Sequence, residues 1–306
     1  MTPDRATGTS DRADNGGGAR RGGADFRSGF VTVVGRPNVG KSTLVNRILG
    51  RKVSITAKTP NTTRRRVRGV LHGPDYQVVF VDTPGIRKPR SALGNRLNCA
   101  AADAIVDVDV CVLVVEATPA IGPGDRRIAA KLPADAVVVV NKTDLAPAAT
   151  TLRQLARAAA ELGLERAEYF PVSAKTGSGV ADLTAHLVGR LAAGPRYYPE
   201  GVVSDVPEAF FVAELVREQL LKKVRDELPQ SIACRVVEWE WPYIRCEILV
   251  ERPSQRAIVI GKRGEVLKAV GTAVREELAP GSYLDLRVQV ERDWRQHPQA
   301  IERLGY

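Results

Sequence analysis

Apolar residues fall along this chain in two alternating textures. Short Val-rich runs at 30–34, 67–71, 77–81, 109–117, 136–140 and 169–172 have the length of strands. Stretches 44–49, 150–162 and 180–191 space their apolar residues for helices, and residues 86–108 read as a loop leading into another helix. The runs 67–71 and 77–81 form a hairpin around Gly73-Pro74. Strands alternating with helices predict an α/β fold with a mostly parallel, doubly wound sheet and a ligand at its carboxyl edge. Residues 193–208, with Gly194, Pro195, Pro199, Gly201 and Pro207, read as a linker. A second, α+β pattern follows. It has an amphipathic helix at 209–227, strands at 232–241 and 243–251 turning at Pro242, a helix at 265–278 and a last strand at 283–291. Periodicity leaves 256–260 open between strand and short helix. Residues 1–29 are rich in Gly, Arg and Asp with one aromatic, Phe26, and predict a disordered tail, either dispensable or a weak RNA-contacting arm through Arg20 and Arg21. The expected division is therefore a tail 1–29, a first domain 30–192, a linker 193–208 and a second domain 209–306.

The candidate chemistry sits at the ends of the strand-like runs. Gly35-Arg-Pro-Asn-Val-Gly40-Lys41-Ser42-Thr43 fits G-x-x-x-x-G-K-[ST] between a strand and a helix. Such a turn surrounds a phosphate with backbone N–H groups and a helix N-terminus. Lys41 would reach the β- and γ-phosphates, and the Ser42 hydroxyl would bind Mg²⁺. The polar stretch 53–66 has no periodicity and reads as a switch loop whose hydroxyl meets Mg²⁺, with Thr63 the choice and Thr62 the rival. Asp82-Thr-Pro-Gly85 ends the hairpin's second strand. Asp82 would hold Mg²⁺ through water, and the Gly85 N–H would point at the γ-phosphate. Asn141-Lys-Thr-Asp144 ends another run. The Asp144 carboxylate can accept two N–H bonds from guanine that adenine cannot offer, which selects GTP. Asn141 would bond the base edge or brace the loop, the Lys142 stem would lie along the base plane, and Ser173-Ala174-Lys175 would offer backbone amides to the guanine carbonyl. Gly261-Lys262-Arg263-Gly264, between two apolar segments, is the kind of loop that brings backbone close to sugar-phosphate.

Composition narrows the picture only a little. The chain is 44% hydrophobic and 26% charged, within the range of globular proteins, and no apolar run is long enough to cross a membrane. Four cysteines, Cys99, Cys111, Cys234 and Cys246, form no C-x-x-C pair and read as free thiols, mostly buried; His72, His186 and His297 show no metal-ligand spacing. Charge says more. The net +10 divides into +1 for residues 1–29, +11 for 30–199 and −2 for 200–306. A second domain of net −2 cannot gain RNA affinity from overall charge and must use local clusters, Lys222, Lys223 and Arg225 or Lys262 and Arg263, together with base stacking. The basic first half, with Arg64, Arg65, Arg66 and Arg68 near its switch loop, would add RNA contacts of its own.

Taken together, G-R-P-N-V-G-K-S-T (35–43), N-T-T-R (61–64), D-T-P-G (82–85), N-K-T-D (141–144), S-A-K (173–175), G-K-R-G (261–264) and the terminal D-W-R and R-L-G-Y resemble the Era family of bacterial GTPases over residues 30–306. The resemblance implies a Ras-like, P-loop GTPase domain joined to a type II K homology domain. It implies a GTPase cycling between GTP and GDP with Mg²⁺, and binding to the 3′ end of small-subunit 16S ribosomal RNA during maturation of the 30S subunit. It also implies a monomer in the cytoplasm, with peripheral contact at the inner face of the cell membrane and no transmembrane segment. Asn38, Val39, Gly40, Lys41, Ser42 and Thr43 would hold the phosphates, with Ser42 and Thr63 on Mg²⁺. Ile260, Gly261, Lys262, Arg263 and Gly264 would clamp RNA backbone, with Lys268 nearby. Ras-type sites place a water-orienting Gln after D-x-x-G, where this chain has Ile86, so intrinsic hydrolysis is expected to be slow. Asn38 would ligate a K⁺ beside the β/γ-phosphates, as in potassium-activated relatives. The competing readings are a non-enzymatic RNA-binding protein with structural GTP, and a tRNA- or membrane-acting relative, which the G-K-R-G domain disfavours.

Overall fold

The computed structural model describes residues 26–59, 62–86, 91–224 and 228–306; the greater part of the expected tail, and with it Asn61 and Arg225, lies outside them. The first unit runs β1 (Arg27–Val34), α1 (Lys41–Leu49), β2 (Val67–His72), β3 (Tyr76–Asp82), α2 (Ala92–Asp103), β4 (Val110–Glu116), α3 (Pro123–Ala129), β5 (Val137–Asn141), α4 (Ala148–Glu161), β6 (Glu168–Pro171) and α5 (Val180–Arg190). Its six strands lie in the order β2-β3-β1-β4-β5-β6. Only β2, the hairpin arm, is antiparallel to its neighbour.

The continuous apolar run of β4 is explained by helices on both faces. Val110, Val112 and Val114 join the cluster that holds Leu44 of α1 and Leu183 and Leu187 of α5. Cys111, Leu113 and Val115 turn the other way, toward Ile128 of α3 and Ala158 of α4. A strand covered twice has no polar face to show, so its sequence cannot alternate. All parallel strands end at the same edge, which brings residues 35–43, 82–85, 141–144 and 173–175 together.

β1 begins at Arg27, earlier than the apolar run suggests. Arg27, Ser28 and Gly29 pair with Tyr76, Gln77 and Val78, and Phe26 is buried beneath the Arg196 guanidinium, 4.5 Å from the ring centroid. Ser28 and Gly29 carry no apolar signature, so only the partner strand reveals them as strand. Residues 193–208 are also more ordered than a linker. Ala193 bridges Arg27, and Ser204 bridges Gly69. Val70 N–H donates to the Val203 carbonyl at 2.8 Å, and Gln77 Oε1 accepts from the Tyr197 and Tyr198 amides. The segment is a strap lying along the outer edge of β2.

The second unit runs α6 (Glu208–Lys223), α7 (Leu228–Ser231), β7 (Ala233–Glu240), β8 (Tyr243–Val250), α8 (Pro253–Ile260), α9 (Glu265–Arg275), β9 (Tyr283–Val290) and α10 (Pro298–Arg303). β7 and β8 are antiparallel, β8 and β9 parallel. Val212, Leu215, Val216 and Leu220 of α6 and Val270 and Val274 of α9 cover one face of this sheet with Ile244, Cys246 and Ile248. The undecided 256–260 is helical. Pro253 occupies the first turn, and Gln255 Oε1 accepts from the Glu251 and Arg252 amides, a start that Pro tolerates because its missing N–H is unneeded there. α6 stops at Lys223, short of the expected 227. Cys111, Cys234 and Cys246 are buried free thiols, whereas Cys99 is exposed.

The two units share a core of their own. Leu93 and Leu97 of α2 pack with Trp294, Ile301, Leu304 and Tyr306 at the end of the chain. Arg64, from the polar loop before β2, is buried in the same place.

Candidate nucleotide-binding site and RNA-binding loop

The phosphate loop closes on itself around Gly40, which caps α1 in a left-handed conformation at φ 98. A Cβ there would strike the Asn141 amide group, so glycine is required twice over. Lys41 begins α1, is buried, and donates to the Gly35 and Arg36 carbonyls at 3.2 and 3.1 Å. Burial pulls its pKa from 10.5 down to about 8, while Asp82 pushes it back up. Ser42 Oγ lies 2.9 Å from Thr63 Oγ1, and Thr63 Oγ1 donates to Asp82 Oδ2 at 3.4 Å. Thr62 turns away and donates to the Thr59 carbonyl at 2.8 Å. Of the two rival threonines, therefore, Thr63 faces Ser42. Burial raises the Asp82 pKa, with Lys41 and the Ser42, Ser54 and Thr63 hydroxyls pulling it down. Asn38 has φ 68, and its amide nitrogen donates to the Lys58 carbonyl at 2.8 Å.

On the far side, Asn141 braces the loops: Nδ2 donates to the Val39 carbonyl at 2.8 Å, and Oδ1 accepts from the Ala174 amide at 3.0 Å. Asp144 Oδ1 accepts from Ser173 Oγ at 2.6 Å. Lys142 sits at φ 65 and pairs with Glu116. Arg47 Nε donates to the Ala174 carbonyl at 3.0 Å, tying α1 to the same corner. A groove of about 900 Å³ is lined by Asn38, Gly40, Lys41, Ser42, Thr43, Thr63, Gly85, Asn141, Lys142, Asp144, Ala174 and Lys175. Gly35, Val39, Asp82 and Ser173 stand behind this lining. Ile86 packs against the cluster around β4 and presents no polar group.

No motif in the sequence signals that the second unit reaches this groove. Leu221 and Lys222 of α6 are in its lining. Arg217, fully buried, donates to the Thr62 carbonyl, and Glu218 accepts from the Thr56 amide at 2.8 Å. Lys222, expected in an RNA cluster, instead pairs with Glu218 at 3.2 Å beside the nucleotide groove. In sequence, this helix shows no more than its amphipathic pattern and the Lys222 cluster. The only further signal was the number of charged residues on a helix that also carries a full apolar face.

The G-K-R-G segment lies elsewhere, as a tight turn joining α8 to α9. Gly261 has φ 75, and a Cβ would meet Val266 N at 2.9 Å. Arg263 and Gly264 are also left-handed, at φ 53 and 80. Lys262, Arg263 and, a turn along α9, Lys268 are exposed. Ile260 ends α8, partly buried against the second core. The turn therefore presents backbone and two cations at the N-terminus of α9.

Comparison with known proteins agrees with both parts. The family model described as 50S ribosome-binding GTPase matches residues 30–142, and that described as KH domain matches residues 227–295. The chain is 46% identical over 300 residues to the GTPase Era of Mycobacterium tuberculosis, covering 92% of this chain and 99% of that protein. It is 45% identical over 298 residues to that of Mycobacterium avium, with the same coverage. A crystal structure of Era with MgGDPNP and nucleotides 1506–1542 of 16S ribosomal RNA superposes with a TM-score of 0.87 at 35% identity, covering 92% of this chain and 99% of that one. A variant of Aquifex aeolicus Era bound to GDP and aluminium fluoride gives 0.86, with the same identity and coverage. With a phosphate loop, a guanine-reading corner and a K homology turn in one chain, and relatives matched over nearly their whole length, this protein belongs to the Era family of GTPases.

Proposed function

We propose that this GTPase is a Mg²⁺-dependent switch that engages the 3′ end of small-subunit 16S ribosomal RNA and serves maturation of the 30S subunit. One observation carries the reading: residues 62–64 touch both units at once. Thr63 faces Ser42 and Asp82, while the Thr62 carbonyl and the Arg64 side chain are held by the second unit. A rearrangement at the nucleotide is thereby felt by the RNA-binding unit. We divide the chain accordingly into a GTPase domain to residue 192, the strap 193–208 and a K homology domain from 209.

The residues fit Mg²⁺. Ser42 Oγ, Thr63 Oγ1 and the Asp82 carboxylate form a cluster of oxygen donors, and Asp82 Oδ1 is buried with no hydrogen-bond partner among the described residues. Ser42 and Thr63 would hold the ion directly and Asp82 through water. Held there, Mg²⁺ would supply charge neutralisation to the phosphates. The protein's own groups do the rest. Lys41 lies where the phosphates arrive, and anionic oxygens restore the protonation that burial weakens. Gly85 offers its N–H toward the γ-phosphate. Asp144 accepts from the guanine edge, held in place by Ser173, while Asn141 acts as the brace. Ile86 cannot orient water, so intrinsic turnover is slow and the switch is timed by another input. We assign K⁺ to Asn38: its amide nitrogen is committed to Lys58, which leaves the carbonyl end for the cation. A monomeric state and a cytoplasmic location with peripheral membrane contact belong to the same proposal. Among the described residues no helix is long and apolar enough to cross a membrane.

The test is GTP turnover in KCl and in NaCl, with and without RNA matching the small-subunit 3′ end. Faster turnover in KCl, lost in Asn38→Ala, supports the potassium assignment, and equal turnover removes it. Binding of GTP without phosphate release favours the structural-GTP alternative. Absence of RNA binding removes the ribosomal assignment.

A further inference from the structure

Arg64, Arg65, Arg66 and Arg68 look like one basic cluster in the sequence, and the fold divides them. Arg64 turns inward. It donates to the Ile232, Gln230 and Pro229 carbonyls and lies over the Trp294 and Tyr306 rings, 5.5 and 5.3 Å from their centroids. Arg65, Arg66 and Arg68 stay outside. They line a groove of about 770 Å³ between β2 and α2, where Arg96 of α2 joins them and Gly305 and Tyr306 of the second unit close one end.

The charges in this groove are unevenly satisfied. Arg68 pairs with Asp205 at 3.4 Å. Arg65 rests over the Phe210 ring at 5.3 Å, with no carboxylate as partner among the described residues. Arg66 and Arg96 are exposed, and no side-chain hydrogen bond or ion pair joins either to another described residue. The acidic residues Asp103 and Asp107 also line the groove, but at its other end. Val67 pairs with Asp82 at the nucleotide edge of the sheet, which places Arg65 and Arg66 there. α2 runs away from that edge, and Asp103 lies seven residues beyond Arg96, about 10 Å along the helix. The acids bound the basic end without cancelling it. The aromatic rings at the groove are taken: Phe210 lies under Arg65, Phe30 packs on Tyr197 at 4.8 Å between ring centroids, and Tyr306 is buried. Guanidinium groups without a free stacking surface suit phosphates and not bases.

We propose that this groove is a second RNA-binding surface, which holds the phosphate backbone of the RNA beyond the segment taken by the G-K-R-G turn. The proposal rests on the reading of that turn as the primary RNA site. It places the contact beside Thr63 and Arg64, so the nucleotide-dependent loop also shapes the RNA groove. It also resolves the charge paradox of the sequence: the acidic second unit supplies the specific turn, and the basic first unit supplies affinity.

The test uses the full chain with Mg²⁺ and a non-hydrolysable GTP analogue. Two RNAs are compared, one of about four nucleotides, the span a K homology turn clamps, and one matching a longer stretch of the small-subunit 3′ end. The double variant Arg66→Gln, Arg96→Gln is expected to bind the short RNA normally and the long RNA about tenfold more weakly, with the salt slope reduced by about 1.4, or 0.7 for each lost contact to a single strand. GTP affinity and circular dichroism stay unchanged, because neither arginine supports the fold. Cys99 also lines the groove and is the one exposed cysteine, so the long RNA should protect it from N-ethylmaleimide while the short RNA does not. Unchanged affinity and slope for the long RNA, or unaltered Cys99 labelling, overturns the proposal, including the case in which the groove serves a protein partner. The variant Lys262→Gln, Arg263→Gln separates the two readings. If it binds both RNAs as the parent does, the primary site itself is misassigned. If it loses both while the groove variant loses neither, only the groove proposal falls.

Discussion

Lys41 and Arg64 are both buried cations, and they answer to different partners. Lys41 donates only to two carbonyls, and burial lowers its pKa to about 8. In the free protein it is protonated below that value and loses its charge above it. Nucleotide phosphates favour the ammonium, so binding takes up a proton once the pH exceeds 8. GTP affinity should then fall by up to about tenfold per pH unit, while below 7 Lys41 contributes no such dependence. Calorimetry in two buffers of different ionisation heat, about one unit above that pKa, would show the uptake; equal heats in the two buffers would count against it. Arg64 is different, because its charge is spent on carbonyls and rings. Arg64→Met should cost roughly 2–4 kcal/mol in urea unfolding by leaving buried carbonyls unpaired, whereas Arg65→Gln, on the surface, stays within about 0.5 kcal/mol. The sequence separated the rival threonines no further than a preference, and it could not distinguish Arg64 from its neighbours. Three consecutive arginines share one local pattern, and only the second unit's carbonyls and rings select which of them turns inward.

Helix α6 was legible as a helix, and its task was not. Its apolar face announces a core, and Val212, Leu215, Val216 and Leu220 form one. Its charged residues carry no such signal, yet Glu214, Arg217 and Glu218 are buried against the switch loop. Burial alone would lower the Arg217 pKa, but Glu214, whose oxygens accept from Nε at 2.7 Å and Nη2 at 2.5 Å, raises it instead. Burial would raise Glu218, but Lys52 and the Thr56 amide hold it below its ordinary value. A depressed carboxylate stabilises the fold above its unfolded pKa, and the contribution fades as the pH falls through the folded one. Glu218→Ala should therefore destabilise the protein by about 3 kcal/mol at neutral pH, speed hydrogen exchange at Thr56, and lose less relative to the parent in acid. If exchange at Thr56 is unaltered, α6 does not hold that loop. The short helices α3 and α10 left too little pattern to read. α8, by contrast, carried its signal in Pro253 and Gln255, a helix start that a search for apolar period overlooks.

At the scale of the molecule, motif spacing revealed both units and the edge where the nucleotide sits, because strand ends and left-handed glycines are written locally. Their docking is not. It is made by Leu93 and Leu97 against Trp294, Ile301 and Tyr306, residues some two hundred positions apart that each look like ordinary core. Since α6 lines the nucleotide groove and also belongs to the RNA-binding unit, the two affinities are expected to be linked. Whatever factor RNA applies to the dissociation constant of a GTP analogue, the analogue must apply to RNA. A factor of one in titrations of each ligand with the other at saturation would mean that the docked loop transmits nothing. The strap has a separate consequence. β2 is the outer strand of its sheet, and an unpaired strand edge invites a second chain to add to it. Val203 and Ser204 occupy that edge, and His72 and Gln77 hold the Val202 and Tyr198 carbonyls that precede them. The segment that joins the units thus also guards against aggregation and withholds its own peptide bonds from proteases. Cleavage near Val203 under limited thermolysin, or fibril seeding by a peptide copy of β2, would report the moments when the strap lifts.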